Sequence, residues 1–383
     1  MQKINELELA KELIRFPSIT PVDAGVMKFL EKKLKKLGFK TKIIEFKEKN
    51  FKPVKNLYAR IGNKGPNFCY AGHLDVVPPG NIKDWTINPF KPSIKKGHLI
   101  GRGANDMKSS IAAFVSAVSV FINKNNKFNG SISLLITGDE EGDAINGTKK
   151  VVDYLKKKKE KINFCLVGEP TNPIRLGEMI KIGRRGSLTG KLTIHGVQGH
   201  VAYPEKAKNP IHEATQFLNE LTSIEWDQGN DSFPPTSFQI SNINAGTGAD
   251  NVIPDTLNLL FNFRFSTETS QNELEEKVES TLKKYNLDYN LEWKLSGAPF
   301  LTNSGSLIDA ATTAIKEIVG IDTVCSTGGG TSDGRFIAPT GAQTIELGVV
   351  NETIHKINEC VKVEDLDTIS DIYERVLDKL LSN

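Results

Sequence analysis

The hydrophobic and polar positions of the chain follow helical and strand periods in turn. Apolar residues recur at helical spacing near the N-terminus, first over 7–14 and then over 29–37, so two amphipathic helices are predicted there, the second ended by Gly38. Apolar segments over 42–46, 56–61, 68–73, 132–137, 164–167 and 344–349 predict strands, and the segment 109–122 predicts a helix. Strands that alternate with helices are typical of an α/β layer architecture, here with a largely parallel sheet.

The order of the predicted elements changes after about residue 179. Strands over 188–195, 237–243, 256–265 and 288–293 alternate with helices over 210–222 and 271–285, which is the order of a compact α+β sandwich. The chain then continues with a helix over 306–319, a glycine-rich loop over 327–331 and a closing helix over 363–381. Because 383 residues exceed the usual size of one domain, we predict one domain from 1–179 and 295–383 and an inserted domain from 180–294.

The composition limits the partners that the chain can have. Lys and Arg number 49 and Asp and Glu 46, so the net charge of +3 provides no field that would attract a nucleic acid or a membrane. The longest apolar run, 111–122, contains serines and is too short to span a bilayer. Four cysteines without a Cys-x-x-Cys pair fit reduced thiols. A cytoplasmic protein acting on a small molecule is therefore expected.

Side chains that bind metals stand where predicted strands end. Each has an ordinary explanation as well: a buried histidine satisfied by a turn aspartate, a helix N-cap, an exposed acidic turn, a solvated loop or a capped surface histidine. Their coincidence at several strand ends, where open α/β sheets bind ligands, instead favours a site for a divalent cation held by nitrogen and oxygen, with Zn²⁺ the usual ion when imidazole takes part. The residues are His73, Asp75, Asp106, Glu140, Glu141, Glu169 and His355.

The motifs around these residues resemble the di-zinc aminoacylase/carboxypeptidase family of M20 type. They are HxD at 73–75, GANDMK at 103–108, DEEG at 139–142, GEP at 168–170, GVQGHVAYP at 196–204 and GTSDGRF at 330–336. The resemblance runs from about residue 5 to residue 381. It implies a zinc-peptidase-like mixed sheet flanked by helices, with an inserted ferredoxin-like α+β domain for dimerisation and lid closure.

The resemblance also implies the role of each residue. His73 and Glu169 would hold one zinc ion, Glu141 and His355 a second, and Asp106 would bridge the two, with Co²⁺ as an alternative ion at one of the sites. The peptide bond after Asp106 would be cis. Three further side chains would take part in catalysis: Asp75 orienting the histidine ligand, Glu140 as general acid and base, and His200 as an oxyanion donor from the partner subunit of a homodimer.

Within the family, the motifs most resemble members that hydrolyse N-succinyl-LL-2,6-diaminopimelate to succinate and LL-2,6-diaminopimelate in lysine biosynthesis. That substrate is a dicarboxylate amide, and its predicted contacts are Arg184, Ser187, Tyr203, Asn251, Arg264, Thr331 and Asn351. The chain has Asp250-Asn251 and Lys108-Ser109 where the resemblance implies Asn-Asn and Lys-Gly.

Three other functions share individual features of this sequence. Deacylation of N-acetylornithine or of another N-acylamino acid would use the same chemistry. A nucleotide-binding protein would need phosphate loops, but neither the segment 101–103 nor the segment 328–330 completes a Gly-x-Gly-x-x-Gly or Walker A pattern. A binding protein that has lost catalysis is disfavoured because all the ligand-type residues and the candidate base are present.

Overall fold

The computed structural model describes residues 3–382. The helices are α1 (Glu6–Ile14), α2 (Val26–Lys36), α3 (Lys108–Lys124), α4 (Thr148–Lys157), α5 (Pro210–Ser223), α6 (Gln271–Lys284), α7 (Ser306–Val319), α8 (Gly334–Ile337) and α9 (Val363–Leu381). The strands are β1 (Lys40–Phe46), β2 (Val54–Ile61), β3 (Asn67–His73), β4 (Ser93–Lys95), β5 (His98–Ile100), β6 (Ser131–Thr137), β7 (Phe164–Val167), β8 (Met179–Lys181), β9 (Gly183–Arg184), β10 (Gly186–His195), β11 (Gly199–His200), β12 (Ser237–Ala245), β13 (Val252–Ile253), β14 (Thr256–Phe265), β15 (Tyr289–Gly297), β16 (Phe300–Leu301), β17 (Val324–Ser326), β18 (Gln343–Glu346) and β19 (Cys360–Lys362).

The chain forms two compact units. The first comprises the chain up to Gly183 together with Leu301–Ser326 and the chain from Ser332 onward. The second comprises Arg184–Phe300 and the short segment Thr327–Thr331. The sequence-based division was 180–294, so the second unit begins four residues later, extends six residues further at its C-terminal side, and includes the whole glycine-rich loop over 327–331.

The first unit is built on an eight-stranded sheet in the order β1-β2-β6-β3-β7-β18-β8-β17. The neighbours β6, β3, β7 and β18 are parallel, whereas β1 with β2, β2 with β6, and β18 with β8 are antiparallel. The predicted mixed sheet flanked by helices is confirmed, and four of its seven neighbouring strand pairs are parallel, because β8 and β17 are parallel as well. Seven residues without a helix join β1 to β2, which suits an antiparallel pair, since parallel neighbours need a longer crossover.

The centre of this sheet is buried on both faces. Every residue of β3 and of β6 is buried, which explains why both strands read as continuous apolar runs in the sequence. On one face, the ring of Phe114 in α3 stacks on Tyr70 of β3 with centroids 4.2 Å apart and meets Tyr373 of α9 edge-on at 5.8 Å. The core thus packs directly against the strand that ends at His73.

The second unit contains a four-stranded antiparallel sheet in the order β12-β14-β10-β15. Together with α5 and α6 its elements follow one another as βαββαβ, the ferredoxin-like arrangement. Its own hydrophobic core includes Leu192, Phe217, Phe261 and Val278, all fully buried. Alternate residues of β14 are buried, as expected of a sheet that covers its core with one face.

Two further features concern the sequence-based expectations. No helix within residues 3–382 is long and apolar enough to cross a membrane. The short strands β4, β5, β8, β17 and β19 were not predicted, because three residues carry too little of an alternating pattern to be recognised.

Candidate metal centre

The candidate ligands of the first unit lie at the carboxyl edge of the central sheet. His73 is the last residue of β3, Glu140 and Glu141 follow β6, and Glu169 follows β7. These three strands are parallel neighbours, so their carboxyl ends meet at one edge, where open α/β sheets bind ligands. Asp106 lies just before α3, and its peptide bond to Met107 is cis, as the family resemblance implied.

The carboxylate of Asp106 lies between the two histidines. Its Oδ1 is 3.1 Å from His73 Nε2, and its Oδ2 is 3.3 Å from His355 Nε2. A second carboxylate approaches each imidazole, with Glu169 Oε1 3.6 Å from His73 Nε2 and Glu141 Oε1 2.9 Å from His355 Nε2. The five side chains therefore form two groups that share Asp106.

The tautomer of His73 is set by a main-chain carbonyl. Its Nδ1 is 2.9 Å from the Asp75 carbonyl oxygen, to which only a protonated Nδ1 can donate, so Nε2 keeps its lone pair for a metal ion. The nearest carboxylate oxygen of Asp75 is 3.8 Å away. The sequence-based expectation gave this orienting role to Asp75, and the atom of Asp75 that contacts Nδ1 is its main-chain oxygen.

The Asp75 carboxylate instead holds the turn that follows β6. It accepts hydrogen bonds from the main-chain N–H of Glu140 at 3.1 Å and from that of Glu141 at 3.0 Å. Asp139 accepts three more from Ala144, Ile145 and Asn146. These bonds bend the backbone so that two consecutive glutamates serve one site.

The glycines that flank this turn, Gly138 and Gly142, allow neighbouring groups to approach the main chain closely. Gly138 and Gly142 do not adopt the left-handed conformation. They are needed for close approach, because a Cβ on Gly138 would lie 2.9 Å from the Lys55 carbonyl oxygen and one on Gly142 would lie 2.8 Å from the Asp139 carboxylate.

The carboxylates shift one another's pKa values. The pKa of Glu140 is raised to about 8, first because burial disfavours the charged form and then because Asp333 and Glu141 are negative nearby, although His73 opposes the shift. Burial also raises the pKa of Glu169 well above its usual value. Crowded acidic groups of this kind need a compensating cation.

Hydrogen bonds with imidazole have the opposite effect. Burial raises the pKa of Asp106, but hydrogen bonds with His355 and His73 outweigh it and leave the pKa below its usual value. The hydrogen bonds that His355 makes with Asp106 and with Glu141 raise the pKa of His355 to about 10. Bound cations would replace these protons as the positive charge between the ligands.

The donor set fits divalent cations that accept nitrogen and oxygen. Two ligands on a tetrahedral ion with bonds of 2.0–2.2 Å lie about 3.3–3.6 Å apart. The observed imidazole–carboxylate separations run from 2.9 to 3.6 Å. Ligand atoms of His73, Asp106 and Glu141 lie within 4.8 Å of one another, and so do those of His73, Glu140 and Glu169. By distance alone, Glu140 could thus be a ligand as well as a base.

Four of the predicted substrate residues, Arg184, Ser187, Arg264 and Thr331, belong to the second unit. Ser187 and Arg264 are register partners on β10 and β14. Arg184 Nη1 donates at 2.8 Å to the Gly328 carbonyl, in the loop that ends at Thr331. The pKa of Arg264 is lowered by burial and by the nearby charge of Arg185, a residue absent from the sequence-based set. Such a cluster suits an anionic ligand.

A second predicted group in this unit surrounds β11 and β13. His200 Nδ1 accepts the Ala202 N–H at 3.0 Å, so the ring proton of a neutral His200 is on Nε2, which can donate. The His200 and Tyr203 rings lie 5.8 Å apart, and the Val201 N–H donates to the Asn251 carbonyl at 3.1 Å. Asn351 belongs to the first unit, where its N–H donates to the Asn172 carbonyl.

Sequence reasoning missed Glu359, which is 1 % exposed and surrounded by main-chain donors of the loop that carries Asp106. It stands more than 250 residues after that loop, so no local spacing connects the two. The signal in the sequence is limited to a carboxylate directly before the three-residue strand β19.

Comparisons with known proteins were consistent with this geometry. The model of the peptidase family M20/M25/M40 matches residues 69–379. A succinyl-diaminopimelate desuccinylase of Pelagibacter ubique (strain HTCC1062) is 58 % identical over 381 residues, which cover 98 % of this chain and 99 % of that protein.

Solved structures share the fold at low sequence identity. An M20 family metallo-carboxypeptidase from Sulfolobus solfataricus superposes with a TM-score of 0.81 at 19 % identity, covering 99 % of both chains. The YXEP protein of Bacillus subtilis, described as a dinuclear metal-binding peptidase from the M20 family, gives a TM-score of 0.69 at 18 % identity over 97 % of this chain and 96 % of that one. By the extent of the family match and the identity of its full-length relative, the chain belongs to peptidase family M20/M25/M40.

Proposed function

We propose that the chain hydrolyses N-succinyl-LL-2,6-diaminopimelate to succinate and LL-2,6-diaminopimelate, a step of lysine biosynthesis. The observation that carries the proposal is the Asp106 carboxylate between His73 and His355, with a further glutamate beside each imidazole. The full-length relative with 58 % identity supports the choice of substrate.

The proposed metal complement is two Zn²⁺ ions per subunit, with Co²⁺ as an alternative at one site. His73 and Glu169 would hold one ion and Glu141 and His355 the other, with Asp106 shared between them. When bound, such a pair polarises an amide carbonyl and makes water acidic enough to act as a nucleophile at neutral pH.

Glu140 is proposed to move the proton. Its carboxylate would accept a proton from the attacking water and later deliver it to the leaving amine. The hydrogen bond from its own N–H to the Asp75 carboxylate fixes the main chain from which this side chain extends. In the ligand-free chain its pKa is raised to about 8, first by burial, and this environment favours keeping the proton between the two transfers.

The second unit is proposed to bind the substrate's charged ends. Arg184 and Arg264 offer the planar donors that bind carboxylates in bidentate fashion, and Ser187 lies opposite Arg264 on the neighbouring strand. Tyr203, Asn251 and Thr331 of this unit, and Asn351 of the first unit, are proposed to donate or accept further hydrogen bonds. His200, with its proton on Nε2, is proposed to stabilise the oxyanion.

We further propose a homodimer formed through the second unit. β12 is an edge strand of the four-stranded sheet, and most of its nine residues are exposed. The exposed apolar side chains of the unit include Ile243 on β12 at 54 % and Ile211 on α5 at 41 %. A long edge with exposed aliphatic residues favours pairing with a second copy about a twofold axis, which would carry His200 to the partner's active site.

We also propose that the enzyme acts in the cytoplasm. Its four cysteines are free thiols, which suits a reducing compartment.

A substrate panel with the zinc-reconstituted protein tests the proposal. We expect kcat/KM for N-succinyl-LL-2,6-diaminopimelate to exceed that for N-acetylornithine by about 100-fold or more, because the acetyl group leaves a cationic contact unpaired. Chelation should abolish turnover and added Zn²⁺ should restore it. Faster turnover of N-acetylornithine would move the assignment to deacetylation, and full activity of the metal-free protein would refute the metal centre.

A further inference from the structure

The loop over 101–106, which presents Asp106 to the metal centre, is wrapped around one buried carboxylate. Glu359 Oε1 accepts the N–H groups of Asn105 at 2.8 Å and of Asp106 at 2.9 Å. Its Oε2 accepts the N–H of Gly103 at 2.9 Å and Arg102 Nη1 at 2.7 Å. Each carboxylate oxygen therefore has two donors, and one of these donors belongs to a candidate ligand itself.

The main chain of Glu359 continues the same connection, because its carbonyl accepts the N–H of Gly101 at 2.9 Å. Glu359 thus contacts the loop at both its beginning and its end. A segment that donates five hydrogen bonds to one residue cannot shift Asp106 without breaking several of them at once.

Arg102 extends this network to the second histidine. Its guanidinium is 2 % exposed, lies 5.2 Å from the Trp85 ring centroid, and pairs with Glu359 through Nη1. Its Nη2 is 3.4 Å from the carbonyl of His355. Asn105 adds a bond from Nδ2 to the Val350 carbonyl at 2.6 Å. One ion pair therefore connects the loop of the shared ligand to the loop of His355.

We propose that Glu359 is a positioning residue that holds Asp106 and, through Arg102, His355 at the separation required to bind two divalent cations together. This rests on the metal-ligand set of the proposed function. Side chains that hold metal ligands in place by hydrogen bonds change metal affinity by about 10- to 100-fold when they are altered. Glu359 has this position for the one carboxylate that both ions share.

Two variants and a control test the proposal. In Glu359→Gln one oxygen becomes an NH₂ group that faces donors, and in Glu359→Asp the charge is kept but the shorter side chain cannot reach both pairs of donors. The control is Glu6→Gln. Glu6 is a buried residue of α1 in the same unit, and its carboxylate accepts a hydrogen bond at 2.8 Å from the hydroxyl of Ser116 on α3. Each metal-free protein is titrated with Co²⁺, and the affinity, the stoichiometry and the visible absorption spectrum are recorded together with the thermal midpoint of the metal-free form.

We expect both Glu359 variants to bind Co²⁺ about 10- to 100-fold more weakly than the wild type with an altered spectrum, and Glu6→Gln to bind normally whatever its thermal midpoint. Wild-type affinity in a folded Glu359→Gln overturns the proposal. If that variant does not fold, wild-type affinity in Glu359→Asp overturns it, and so does an equal loss of affinity in the Glu6→Gln control. A wild-type protein that binds two ions but fails to hydrolyse the substrate would refute the proposed function and leave the titration to decide the role of Glu359.

Discussion

Removing the carboxylate of Asp75 should impair catalysis without removing the metal ions. In Asp75→Ala the main-chain carbonyl remains and still accepts from His73 Nδ1, so the imidazole keeps its tautomer. The N–H groups of Glu140 and Glu141, in contrast, lose the carboxylate that accepts them at 3.1 and 3.0 Å. The turn that carries the proposed base is then no longer held.

The size of the effect follows from these two bonds. A donor left without its partner costs about 1–3 kcal/mol, so the bent arrangement is destabilised by about 2–6 kcal/mol. At 1.36 kcal/mol for each factor of ten, the population of the competent turn and hence kcat should fall about 30- to 10⁴-fold. Asp75→Asn should lie between the wild type and Asp75→Ala, because its amide oxygen can take the position of Oδ2.

The assay is steady-state hydrolysis at saturating Zn²⁺, with the metal content of each protein measured in parallel. Asp84→Ala, at an exposed aspartate of the same unit, is the matched control and should leave both values unchanged. If Asp75→Ala lost its metal, as we expect of His73→Ala, and excess Zn²⁺ restored its kcat, the carboxylate would act on the imidazole and the reasoning would be wrong.

Three further predictions concern catalysis, assembly and the core. Glu140→Ala should keep both ions while turnover falls about 10²- to 10⁴-fold, whereas Glu141→Ala should lose one ion and recover partly with excess metal; the reverse pattern in zinc titration and kinetics would exchange their roles. Ile243→Asp, on the exposed edge of β12, should give monomers in sedimentation analysis, and an unchanged dimer would place the interface elsewhere. Phe114→Ala should lower the free energy of unfolding of the metal-free protein by about 3–5 kcal/mol in denaturant titration, because its ring fills the space between Tyr70 and Tyr373; a loss below about 1 kcal/mol would contradict that packing.

The sequence was sufficient where a local pattern carries the information. The apolar runs of β3 and β6 have no polar face to interrupt them, and ligand-type residues follow each run directly, so both the strands and the edge with His73, Glu140 and Glu141 could be predicted. The ferredoxin-like order of the second unit could also be predicted, because its strands and helices are long enough to show their periodicity in the sequence.

Contacts between distant segments could not be predicted in this way. Glu359 meets the loop of Asp106 only in the folded chain, and no spacing indicates which carboxylate fills that position. The main-chain carbonyl of Asp75 contacts His73, whereas its side chain accepts the N–H of Glu140. These two contacts depend on atomic positions that residue types do not specify.

The place of β18 in the central sheet has a consequence for synthesis of the chain on the ribosome. β18 lies between β7 and β8, although it follows both of them, and the whole second unit, in sequence. A nascent chain that ends before residue 343 therefore has a gap in the middle of its main sheet, and it contains His73, Asp106 and Glu169 but lacks His355 and Glu359. One half of the metal centre can assemble early, whereas the second half, and with it hydrolysis, becomes available only once residues 343–359 have been translated as well.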